Sequence, residues 1–463
     1  MRCNGIRSRD HARRDHTRRD PARIAGRTLL LLAVAIGTMA AVPVAGQTLT
    51  LRDAIAIARE GNPALRASDD QHEAAEARVR ETRSGHLPTL TAGASYTWHQ
   101  EPNIVFPIHR AGVFPPLDDR IFESSVQAVL PLFSGGKVLR RTDAARAAAT
   151  QQRLRGDAAR QDLLRQLVRL YLGAAEIQNR RTLIASRLAD LRVRRSEAAA
   201  LEAEGRMSAP QVALLDAQLH ALRADSMQVV QGREELAWRL AQLTGSETPV
   251  YPDIEGLRPT TRVVTATAAS ALGDNVDWRI AQATLRQAEA EASAAGRAFY
   301  PDISAFALYQ YRSGGSAWDP AGEWAAGLRL SLPLFDGGRS IAAVSATQAQ
   351  RRAAEEQVRA MELRVRTDME ISAGARRAAA QRLGAIEEAV RQKESVVAAQ
   401  QELHRAGRLA LSELLTQETE LLQLSLQAAS LTYAAAEAEL DYHRAAGSLT
   451  TEIALAITGD HTP

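Results

Sequence analysis

The chain has 463 residues, of which 4% are aromatic and 24% charged. Its wealth of Ala, Leu, Arg, Glu and Gln suits helices packed along seams and argues against a thick globular core. The formal charge of +3 is local: residues 1–46 hold nine Arg against three Asp, and the rest carries 48 basic and 51 acidic residues, a balance of −3 that removes the ground for a nucleic-acid partner.

In chain order, a basic stretch ending at Arg27 runs into TLLLLAVAIGTMAAVPVAG, an apolar run followed by small residues. Residues 1–46 read as a signal peptide cleaved near Gly46–Gln47, with a transmembrane anchor as the competing reading. The single cysteine, Cys3, falls in this segment, so no disulfide or thiol chemistry is expected after it.

Beyond this segment the chain repeats itself. LPLFSGGK at 130–137 returns as LPLFDGGR at 332–339. The segments starting at Asn62 and Asn275 align at an offset of 213, setting Pro88 on Pro301, Leu90 on Ile303 and Ala92 on Ala305. Later positions align at 202, setting Gly205 on Gly407 and Gly245 on Gly447. The expected division is a first repeat at 47–245, a linker at 246–272, a second repeat at 273–447 and a tail at 448–463. Each repeat reads helix, strand, strand, long helix, tight turn, helix.

The strands are expected at about 89–98, 121–131, 302–312 and 323–332, where apolar and polar residues alternate. Leu90, Ala92, Ala94, Tyr96 and Trp98 share one side of the first. Phe306 and Leu308 interrupt the polar side of the third. About ten residues suffice for a tilted barrel strand to cross a bilayer, although a soluble hairpin would alternate in the same way. On the barrel reading, Ser95, Thr97, Glu123, Gln127 and Arg329 line the lumen. Four strands close no pore, and open edges are not tolerated in lipid, so several copies must share one barrel.

Long helices are expected at 137–203 and 339–406, each on the order of 100 Å at 1.5 Å per residue. The first has a heptad seam of Leu163, Leu167, Leu170, Ala174, Ile177, Ile184, Leu188 and Leu191; the second has a more dilute one of Val365, Met369, Ala379, Leu383, Ile386 and Val390. Leu51–His86 and Ser208–Thr244, stacked end to end, match the first long helix in length. At the strand–helix junctions, Pro131 and Pro333 withhold an N–H from the ladder. Ser134 and Asp336 are the expected N-caps, and Gly135–Gly136 and Gly337–Gly338 allow the bend. At the far tips, Gly205 and Gly407 end the long helices, and Ser208–Gln211 resembles a capping box.

The element order, the LPLF-x-GG junctions, the entry SGHLPTLTAGASY and the paired glycine tips resemble the TolC-like outer-membrane efflux family, from about Gln47 to Gly447. The resemblance implies a mainly α fold with a β-barrel portion: a homotrimer whose twelve-stranded barrel stands on a long α-helical tunnel. It implies a passive exit duct of a tripartite efflux or type I secretion system in the outer membrane, extending into the periplasm. Its partners would be its own copies, a periplasmic adaptor, an inner-membrane pump and outer-membrane lipid. The family's acidic gate rings fall on Glu413 and on Thr416, which departs from the pattern. Its adaptor-docking tips fall on Gly205, Arg206, Met207 and Ser208, and on Gly407, Arg408, Leu409 and Ala410. Glu413 reads equally as a first-turn acid on a helix dipole, and Arg206 and Arg408 as solvated loop charges. No catalytic, cofactor or metal residues are expected. A periplasmic coiled-coil adaptor without a pore is the alternative; adaptors normally carry soluble β-domains and one hairpin per chain, and the two matched strand pairs tell against it.

Overall fold

A computed structural model describes residues 48–105, 112, 116–259, 271–314 and 321–459. The expected leader at 1–46, the middles of the two strand-connecting loops, residues 260–270 of the linker and 460–463 of the tail lie outside the described residues.

The approach to the first strand is two helices, α1 (Leu51–Gly61) and α2 (Pro63–Ser84), where periodicity predicts one. Pro63 has no N–H for the α1 ladder, and Asn62 takes over as the cap of α2. Its side-chain oxygen accepts from the backbone N–H groups of Ala64 and Leu65 at 2.9 and 3.3 Å. Its amide also donates to the Leu243 carbonyl, 3.0 Å away, near the end of α4 (Ala209–Thr244). The second repeat does the same. Asn275 caps α6 (Val276–Gly296), which follows the short α5 (Ala271–Asp274), and donates to the Ala445 carbonyl at the end of α8 (Leu411–Ala445), again at 3.0 Å. Both asparagines are buried. Each joins two shorter helices end to end, and the joined pair runs beside a long helix, α3 (Lys137–Ala203) or α7 (Arg339–Arg405).

The seam of α3 is buried along its length, apart from the half-buried Ile177. On α7 only Val365 and Leu383 of the expected seam are fully buried. The main core lies midway along α3, where Leu163, Leu167, Val168 and Leu170 meet α1, the ends of α4 and α8, and α9 (Thr451–Thr458). Tyr171 is fully enclosed there, and its hydroxyl donates to the Leu49 and Thr50 carbonyls at 2.5 and 2.9 Å. A two-residue parallel pair, β1 (Thr48–Leu49) with β4 (Tyr251–Pro252), closes this waist. Fully burying each such Leu contributes roughly 2 kcal/mol.

The remaining strands form one antiparallel sheet in the order β2 (Thr89–Ile104), β3 (Leu117–Phe133), β5 (Asp302–Gly314), β6 (Ala321–Ser331). They are longer than the ten-residue expectation, chiefly in the first repeat, where pairing resumes at Asn103 after a shift beyond Trp98. Pro131 does not end β3. It sits opposite Ser304, and the ladder resumes at Phe133 opposite Ile303. A proline removes one donor and bends the strand, and the neighbouring positions still pair. Pro333 lies beyond the end of β6.

Candidate functional site

Residues directly opposite in an antiparallel pair point to the same face, so the register sorts the sheet. Ser95 faces Glu123, which faces Arg312; Thr91 faces Gln127; Arg329 faces Ser304. Thr97 lies on that same face, opposite Ile121. All five residues expected to line a lumen therefore share one face. Glu123 is its charged centre, 3.4 Å from Arg312 Nε and hydrogen-bonded to the Gln310 amide. Phe306 interrupts this polar face because Gly327, opposite it, leaves room for the ring, and the Arg329 guanidinium lies 5.2 Å from the ring centre. Leu308, the other interruption, lies opposite Gln127 and Ala325 on the same face.

The opposite face is apolar over most of its area. Leu90, Tyr96, Trp98, Phe122, Val126, Leu130, Tyr309, Trp324, Leu328 and Leu330 share it with alanines. Leu90 is 74% exposed and Trp324 79%. In water such a surface is a liability; in lipid it is the expected exterior of a barrel. Among the described residues no helix is long and apolar enough to cross a membrane.

The two strand–helix junctions differ from the expected capping. The residues preceding α3 and α7 are Gly136 and Gly338, at φ of +75° and +85°, so neither Ser134 nor Asp336 occupies the N-cap. Glycine wins because the chain must adopt a left-handed turn there. Asp336 still serves the helix from further back, its carboxylate accepting from the Ser340 N–H and hydroxyl at 3.0 and 2.5 Å. The Ser340 hydroxyl bond chiefly holds its pKa below the usual carboxylate range. Ser134 contributes its carbonyl, which accepts from the Lys137 N–H at 2.9 Å.

At the other end of the long helices the tips are built alike. Gly205 and Gly407 take φ of +69° and +71°. The N–H of Arg206 reaches back to the Leu201 carbonyl at 2.8 Å, and that of Arg408 to the Leu403 carbonyl at 2.9 Å, the closure expected at a glycine-ended helix. Ser208 N–H and hydroxyl both donate to the Gln211 side-chain oxygen, at 3.1 and 2.9 Å, so the capping box is made from the glutamine side. Arg206 is exposed and pairs with Glu204; Arg408 and Ala410 are exposed, and Leu409 is half-buried with its carbonyl 2.8 Å from His404 Nδ1. Met207 packs against an apolar cluster in which Val212 and Leu215 of the first tip hairpin join Leu411 and Leu415 of the second. Glu413 and Thr416 are exposed in the first turns of α8, where the Thr416 hydroxyl donates to the Ser412 carbonyl.

A buried cluster just above the tips was not expected. Glu418 of α8 accepts from Arg187 and Arg194 of α3, each at 2.6 Å, and from Gln401 of α7 at 2.9 Å. Burial works to raise the Glu418 pKa, but the Gln401 bond and the two arginines outweigh it and hold the carboxyl below its ordinary value. The available signal is the seven-residue spacing of Arg187 and Arg194, one heptad apart on a helix face beside the seam residues Leu188 and Leu191. Among the described residues no group of three His, Cys, Asp or Glu side chains is placed to hold a metal ion.

The model of the outer membrane efflux protein family matches residues 54–246 and 268–448, most of the chain. The chain belongs to the outer membrane efflux protein family. It is an outer-membrane protein reaching into the periplasm, an outer-membrane factor of efflux systems from a family of transport ducts rather than enzymes. Solved structures share the fold of this efflux protein. A membrane protein from Pseudomonas aeruginosa is 20% identical with a TM-score of 0.75, covering 87% of this chain and 92% of its own. The outer membrane protein VceC of Vibrio cholerae is 19% identical at a TM-score of 0.72, covering 86% and 96%. The MtrE outer membrane channel of Neisseria gonorrhoeae, in its open state, is 21% identical at 0.72, covering 86% and 91%. The search of curated proteins gives no match.

Proposed function

We propose that the chain is the exit duct of a tripartite efflux or type I secretion system, working as a homotrimer. Three sheets close into one twelve-stranded barrel, and the helices below continue it as a tunnel through the periplasm. The observation that carries this reading is the pairing register, which collects Ser95, Thr97, Glu123, Gln127 and Arg329 on one face and the exposed Leu, Tyr and Trp side chains on the other. A wall with a wet side and a lipid side needs such a division. Its two edges, β2 and β6, have no partner strand among the described residues, and in hydrocarbon they need one.

The duct is passive: energy comes from an inner-membrane pump, and a periplasmic adaptor joins the two at the tips around Gly205–Ser208 and Gly407–Ala410. Glu413, in the first exposed turn of α8, contributes an acidic ring at the periplasmic constriction, and Thr416 a neutral one. Single-channel recording in planar bilayers tests the reading. The purified trimer should give discrete conductance steps, and a preparation that inserts without conducting rejects the duct.

A further inference from the structure

The two tips share a backbone closure and differ in what else holds them. In the first, Ser208 and Gln211 form the capping box, and the Met207 N–H also reaches the Leu201 carbonyl at 3.2 Å. The Met207 side chain packs on the apolar cluster between the hairpins. An offset of 202 sets Ala410 on Ser208 and Leu409 on Met207. Each of these holds lapses in the second tip. Ala410 has no hydroxyl, and α8 starts without a side-chain cap. Among the described residues the Leu409 N–H makes no bond back to Leu403, and Leu409 lies outside the cluster.

His404 takes over. It stands where the first tip has Glu202, an exposed side chain. Its Nδ1 lies 2.8 Å from the Leu409 carbonyl, across the left-handed Gly407. A carbonyl only accepts, so Nδ1 carries the hydrogen and donates it. A protonated ring also donates from Nδ1, so the bond persists through titration and gains from the charge.

We infer that His404 is the positioning residue of the second tip, an imidazole clamp that replaces the capping box of the first. It ties the last turn of α7 to the residue before the Ala410 cap. Arg408 lies inside the closed loop, and Glu413 lies in the first turn of the helix that leaves it. The inference rests on the reading of the tips as adaptor contact and gate, and the clamp sets how both side chains are presented.

The competing role for a histidine here is a charge at a helix C-terminus, where the macrodipole favours a cation. Asparagine separates the two roles. Its side-chain nitrogen occupies the place of the imidazole Nδ1 and donates without a charge. Lysine does the reverse, keeping the charge on a longer, flexible stem.

Hydrogen exchange of the purified assembly, read by mass spectrometry, tests the clamp. His404→Leu should speed exchange of the amides of 406–411 about fivefold, as loss of one ordinary hydrogen bond implies. His404→Asn should restore the parent rate, and His404→Lys should not. The first tip, 204–209, should exchange alike in parent and variants, which also shows that the variants are folded. Unchanged exchange in His404→Leu, or an asparagine variant as fast as the leucine one, overturns the clamp. Rescue by His404→Lys alone assigns the residue to the dipole and overturns it too. Conductance remains a separate reading: a parent that inserts without conducting rejects the duct, while the exchange pattern still decides the clamp.

Discussion

Arg187 on α3 donates to Glu418 on α8 at 2.6 Å, and both side chains are buried. With Arg194 and Gln401 on the same carboxylate, one residue of the second tip hairpin is tied to the long helix of the first. Removing one partner of a buried ion pair strands the other, at about 3–5 kcal/mol. Glu418→Ala should therefore lower hydrogen-exchange protection along the tip half of α8 and lower the melting temperature. Glu418→Gln keeps an acceptor and should lose less.

The same carboxylate predicts an acid dependence. Its folded pKa lies below the unfolded value of about 4.3. Its contribution is thus complete above that value and is lost as pH falls through the folded pKa. Thermal melting followed from pH 7 downward should show a steeper acid decline for the parent than for Glu418→Gln. Parallel curves would contradict the assignment.

Asn62 and Asn275 each cap one helix and hold the last carbonyls of another. Asn62→Ala and Asn275→Ala should each cost about 1–2 kcal/mol through the lost cap, read as a fall in melting temperature. Asn→Asp keeps the cap and loses the donor to Leu243 or Ala445, so it should recover only part of the loss. Full recovery would mean that the second bond contributes nothing.

The two faces of the sheet predict opposite responses from adjacent residues. Leu328→Arg puts a cation on the apolar face, at about 2–4 kcal/mol if it lies near the bilayer midplane, and should reduce outer-membrane assembly. Arg329→Glu, one residue on, should leave assembly intact and shift the reversal potential toward cation preference. If Arg329→Glu abolishes assembly while Leu328→Arg is silent, the faces are assigned the wrong way round.

At the periplasmic end, Glu413→Ala should raise the leak conductance of the closed channel and weaken its cation preference if the residue forms a gate ring. Unchanged conductance and selectivity would leave Glu413 as a helix-dipole acid.

Much of the fold is readable in the sequence because repetition and period are properties of the chain itself. The LPLF-x-GG phrases mark both junctions, and the period of two puts Ser95 and Glu123 each on the polar side of its own strand before any register is known. Features that depend on contacts between distant segments stay hidden. Nothing local says that Asn62 donates to Leu243, or that Arg187 and Arg194 converge on Glu418 more than two hundred residues later. The tail at 448–463 gives no hint of α9 in the main core because eight residues hold too few turns to show an amphipathic period. The Ser134 and Asp336 capping expectation fails for a related reason: cap preference is a local average, and the bend out of the strand demands a left-handed residue next to the helix.

Sheets from separate copies must enclose a cavity if the protein is a duct. Electron cryo-microscopy of the purified assembly addresses that directly. It should reveal a threefold particle with a central channel running from the sheet into the helical stalk. Solid rods, or particles without any internal cavity, would contradict it.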